Sequence, residues 1–107
     1  IDIELDDGIA DDEYINVISH VLKKIENQNF SFVFYVAGVD VHYQDRLGKL
    51  KISENGIRQR EKLVINNFFK KKIPLCGVLG GGYNQSFEKL VNLHSILHET
   101  CNDILNN

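Results

Sequence analysis

The sequence is short of what marks several specialised classes. It has one proline and two cysteines, and no apolar run approaches the length that spans a membrane. Two cysteines are too few for a disulfide scaffold. Cys76 in an apolar run and Cys101 in a helical pattern read as reduced, buried thiols of a cytoplasmic protein, although spacing leaves a disulfide between them open. Basic residues are not in excess: 12 Lys and Arg against 15 Asp and Glu give a net charge of −3. With a pI near 5.7 there is no electrostatic footprint for nucleic acid. The densest positive run, Lys70-Lys71-Lys72, falls at an expected helix end, where it offsets the macrodipole. Internal repeats, low-complexity tracts and linkers are absent, so residues 1–107 read as a single segment without an internal boundary. No secretory-signal pattern is visible. The chain opens on Ile1, inside what reads as a strand, so it is expected to be a piece of a longer protein or a processed product.

What is there centres on Phe32 to Gly48. Phe32-Val33-Phe34-Tyr35-Val36 is a short aromatic and β-branched run, expected as a strand buried on both faces. Ala37-Gly38 then lets the chain turn, and Asp40, His42 and Asp45 follow within a few positions. A carboxylate just past a buried strand costs desolvation energy unless something pairs with it. Open parallel sheets carry their ligand and catalytic groups at such strand ends.

The flanking pattern supplies the rest of the fold. Ile1 to Leu5 alternates apolar and polar and reads as a half-buried or edge strand. Asp11 or Asp12 is placed to cap a helix whose apolar period runs through Tyr14, Val17, Ile18, Val21, Leu22 and Ile25. Val41 to Ile52 lacks a period and reads as an ordered loop over the sheet's rim. Ser53 caps a second helix to about Lys71, ended by Ile73-Pro74. Leu75 to Leu79 is the next buried strand. Ser86 caps a last helix with Phe87, Leu90, Val91, His94, Leu97, Cys101, Ile104 and Leu105 as its apolar positions. Strand and helix in strict alternation predict an α/β fold of three layers, a mainly parallel sheet of three or four strands with flanking helices.

In a parallel sheet the loops after the two central strands emerge on one rim, so Asp40 and Tyr83 can share a pocket. Gly80-Gly81-Gly82 permits positive φ and close approach of another chain or ligand, and Tyr83 can offer its hydroxyl to a developing negative charge. Plainer roles compete. Asp40 could cap a turn or pair with Arg46, and Tyr83 could be a packed loop residue. The Gly80–Gly82 loop could hold a phosphate or nucleotide in a non-catalytic binding module, yet it matches neither G-x-G-x-x-G nor the P-loop. His94, His98 and Cys101 have a spacing that could bind zinc, but no glutamate follows His94 and the positions mix with core residues. His42 is a possible ligand or a loop residue facing water, and His20 reads as surface.

AGVDVHYQDRLGKLKISENGIRQREKLV, followed by IPLCGVLGGGYNQSFEKLVNLHSILH, closely resembles the C-terminal part of zinc-dependent histone deacetylases, nearest to the class IV (histone deacetylase 11-like) and bacterial branch. IDIELDDGIADDEYI resembles the segment leading into it, so the resemblance covers essentially the whole chain. It implies the C-terminal part of an arginase/deacetylase-like fold, and a parent enzyme that hydrolyses the amide of acylated lysine or a related acylated amine. By the same resemblance Asp40 matches a carboxylate ligand of the catalytic zinc and Tyr83 the tyrosine that stabilises the oxyanion. Leu47, Gly81 and Gly82 match residues that shape the acyl tunnel. The family's D-x-H zinc ligands, paired catalytic histidines and potassium-binding segment have no counterpart here. The isolated chain is therefore expected to be inactive and to associate through an open sheet edge.

Overall fold

In a computed structural model that describes all of residues 1–107, the period set by Tyr14, Ile18 and Leu22 becomes α1, Asp11–Lys24. Acids in its first turn and Lys23 and Lys24 in its last complement the macrodipole. The cap differs from expectation. Ala10 is the N-cap and makes no side-chain bond, whereas Asp11 lies inside the helix. Its carboxylate reaches across the molecule, accepting from the Ser53 N–H at 2.8 Å and from the Ser53 hydroxyl.

The expected strand at residues 1–5 does not form. Alternation supplies an apolar face but not a ladder, and no backbone hydrogen bond joins these residues to another segment. The sheet therefore has two strands: β1 (Val33–Gly38) and β2 (Leu75–Gly80), parallel, with Val33 opposite Leu75 and Gly38 opposite Gly80. Between them runs α2 (Glu54–Lys70), capped as expected by the Ser53 hydroxyl, which accepts from Gly56 N–H at 3.1 Å. α3 (Phe87–Leu105) is capped by Ser86, which accepts from Lys89 N–H. The α/β class, with a parallel sheet and flanking helices, is what these residues form.

All three helices pack on one face of the sheet. Leu22 of α1 and Val64 and Phe68 of α2 meet Val33, Tyr35 and Leu75. Ile65 of α2 and Leu97 of α3 meet Ala37. Strand periodicity turns Phe34 and Val36 the other way, where they are 73% and 65% exposed. The run expected to be buried on both faces is thus buried on one. α3 turns only part of the expected stripe inward: Leu97 is buried and Leu90, Cys101 and Ile104 pack against the core. Leu93, Ile96, Leu97 and Thr100 are buried, whereas Phe87 and Leu105 face solvent, because the helix turns toward α2 and the core beneath the loop rather than along its most apolar line.

The densest core lies under the rim that carries the site. Ile9, Val39, Ile52, Ile57, Leu93 and Ile96 pack beneath the loop after β1. That loop is ordered, as expected: His42 bridges to Ile52, and Asp45 bridges to Asn84.

Candidate functional site

The two strands end side by side. Val39 N–H donates to the Gly80 carbonyl at 3.1 Å, and Asp40 follows at once. Beyond β2, Gly81 and Gly82 take φ of 58° and 111°, conformations that residues with a Cβ rarely adopt. A Cβ at Gly81 would also lie 2.8 Å from Cγ of Asp40. The Asp40 carboxylate is thus seated against the glycine loop, two residues before Tyr83. It forms no ion pair with Arg46; the chain's ion pairs involve Arg58 and Arg60 only.

The end of β1, two residues before Asp40, is held by a buried arginine. Arg60, 4% exposed, donates through Nη1 to the Gly38 carbonyl at 2.7 Å and to the Tyr14 hydroxyl at 3.1 Å. Its Nε donates to Glu61 at 2.9 Å, and the Tyr35 hydroxyl donates to the same Glu61 oxygen. Burial drives the Tyr35 pKa well above the ordinary phenol value, so it stays a donor. The last carbonyl of β1 is therefore fastened to a charged group inside the helix layer. Sequence reasoning passed over Arg60 and Glu61, although their position within the stripe of Ile57, Val64, Ile65 and Phe68 was a legible signal.

Asp45 was also passed over as a working part. It is 9% exposed, and Oδ2 accepts from Leu47 N–H at 3.0 Å and Gly48 N–H at 2.8 Å. Oδ1 accepts from Tyr83 N–H at 2.6 Å. Burial alone would raise its pKa, but these three N–H donors outweigh burial and hold it below the usual carboxylate value. The Asp-x-Leu-Gly spacing was a recognisable turn signal; the bond to Tyr83 had none. Leu47 and Tyr83 themselves are 65% and 55% exposed on this rim.

The sequence matches the histone deacetylase domain over residues 1–97. The chain belongs to the histone deacetylase family. It is 39% identical over 105 residues to an uncharacterized protein of Picosynechococcus, an alignment covering 97% of this chain and 35% of that protein. It is 35% identical over 91 residues to histone deacetylase 2 of Arabidopsis thaliana, covering 83% of this chain and 23% of that one. The chain thus spans about a third or less of the length of these relatives.

Deacetylases of this family generally depend on zinc, and the residues present do not make a zinc site by themselves. No three His, Cys, Asp or Glu side chains converge in a metal-binding group. His94 Nε2 lies 3.4 Å from where a Cβ on Gly82 would sit, under the glycine loop, while His98 is exposed, so the His94–His98–Cys101 spacing does not become a cluster. His42 neither faces water nor points to a shared ligand set: it is 5% exposed, its Nδ1 accepts from Gln44 N–H at 3.3 Å, and burial lowers its pKa. His20 is exposed as expected, and both cysteines are free thiols, half-buried. A phosphate on the Gly80–Gly82 loop would meet the Asp40 carboxylate there, and the Tyr83 N–H is already taken by Asp45. That charge arrangement counts against the nucleotide-binding alternative.

Proposed function

We propose that the polypeptide carrying this segment is a zinc-dependent amidohydrolase that hydrolyses the amide of an acylated lysine or a related acylated amine, in the cytoplasm. The observation that carries the reading is the meeting of the two strand ends, where the Asp40 carboxylate lies against the loop that leads to Tyr83. Asp40 is one carboxylate ligand of the metal. The Tyr83 hydroxyl donates to the carbonyl oxygen of the substrate as negative charge gathers there. Leu47, Gly81 and Gly82 shape the channel for the acyl-lysine. Zinc, when bound, supplies Lewis acidity and an activated water. A catalytic zinc usually takes about three protein ligands. With Asp40 alone, the 107-residue chain is inactive and holds zinc weakly or not at all.

The test uses the longer polypeptide with an acetyl-lysine reporter. Tyr83→Phe is expected to lower kcat on the order of 100-fold while KM moves little, because the phenol acts on charge present mainly in the transition state. Asp40→Asn is expected to reduce zinc content, read by elemental analysis. An unchanged kcat in the first variant removes the oxyanion role, and full metal occupancy in the second removes the ligand assignment. Turnover by the isolated chain would contradict its predicted inactivity.

A further inference from the structure

We infer that Asp45 is a positioning residue for Tyr83: its buried carboxylate splints the Leu47–Gly48 turn to the glycine loop and so sets where the phenol stands on the rim. The inference rests on the deacylase reading, since it takes Tyr83 as the group that meets the substrate carbonyl. Its basis is independent of any metal. One carboxylate joins two loops 38 residues apart, through Oδ2 to Leu47 and Gly48 and through Oδ1 to Tyr83 at 2.6 Å. A second strap runs beside it, from Arg46 N–H to the Tyr83 carbonyl at 3.3 Å. Both backbone polar groups of Tyr83 are therefore held by residues 45 and 46.

The loop needs this restraint. Tyr83 is 55% exposed, so packing does not fix it, and the two residues before it are glycines at positive φ. Glycine brings the greatest conformational freedom of any residue, and a loop built on it wanders unless its backbone is anchored elsewhere. The anchor is specific in chemistry as well as place. A carboxylate accepts on both oxygens, whereas a carboxamide accepts on one and donates from the other. Asn at position 45 would keep the turn or the tie to Tyr83, but not both.

The experiment is a double-mutant cycle in the longer polypeptide, with Asp45→Asn, Tyr83→Phe and the pair, measuring kcat, KM and zinc content. Asp45→Asn is expected to lower kcat about 10- to 100-fold, the scale of a misplacement near 1 Å, with KM within about threefold and zinc retained. In the Tyr83→Phe background the same change should cost less than about threefold, because its target is gone. Equal losses in both backgrounds, or a loss of activity that follows a loss of zinc, would overturn the inference. A Tyr83→Phe variant with full activity would instead sink the deacylase reading. Should Asp45→Asn fail to fold, amide exchange in the unmodified protein decides. The Tyr83 N–H should exchange at least about tenfold more slowly than that of exposed Gln85, and equal rates would overturn the splint.

Discussion

Two buried titrating side chains beside the rim lose their stabilising effect in separate pH windows. Asp45 is ionised in the fold because three backbone N–H donors override its burial. A carboxylate whose folded pKa lies below its unfolded value, about 3.9, stabilises fully above that value and loses the contribution as pH falls through the lower one. His42 is depressed by burial, so the unfolded chain takes up its proton first and stability declines as pH drops below about 6.5. Thermal midpoints of the chain and of Asp45→Asn should therefore differ most at neutral pH and converge below about pH 4. Curves that stay parallel down to the lowest pH would mean that Asp45 titrates ordinarily. At this scale the sequence was legible where one strand end meets the next: Asp40 after β1 does lie against the glycine loop after β2, as the parallel pattern implied. It was silent where the partner is remote: Arg60 reaches Gly38 across 22 positions and Asp45 reaches Tyr83 across 38.

Elements were readable where their determinants are local. Ser53 and Ser86 cap the helices assigned to them, and α2 stops ahead of Pro74, as expected. The stop itself, however, is a left-handed Lys72 (φ 57°) that lets Ile73 N–H close on the Phe68 carbonyl at 3.0 Å. Ile1 to Leu5 misled because alternation says which face would be buried, not whether a neighbour exists to pair with. The first cap misled for a related reason, since Asp11 has better donors at Ser53 than in its own helix. That contact makes a prediction about how elements are joined. Ser53→Ala removes both the cap of α2 and one tie to α1, and should destabilise the chain by about 1–2 kcal/mol in urea titration. Asp11→Ala should cost a similar amount, although Asp11 caps nothing in α1. The double variant should fall short of the sum, because the two changes delete one shared interaction. Full additivity would mean that Asp11 stabilises only its own first turn.

On the scale of the whole molecule, the decisive feature is the lopsided covering of the sheet. The molecule is 19 Å across its thinnest axis and only 19 of 107 residues are buried, so a single helical layer bears the core. On the other side Phe32, Phe34 and Val36 are at least half exposed, and the Phe32 and Phe34 rings meet at a tilt of 59° with centroids 5.0 Å apart. An apolar sheet face bordered by strand edges with free N–H and C=O groups is a template for a second copy. We therefore expect the isolated chain to self-associate with rising concentration in sedimentation velocity. Burying one such aromatic side chain contributes about 2 kcal/mol, enough to hold copies together once several are covered. Phe34→Lys combined with Val36→Lys places two charges on that face without touching the residues turned toward the helices. It should restore a monomer while leaving the helical circular-dichroism signal intact. If the double variant associates as strongly as the parent chain, the contact lies elsewhere on the surface and this sheet face is not what drives it.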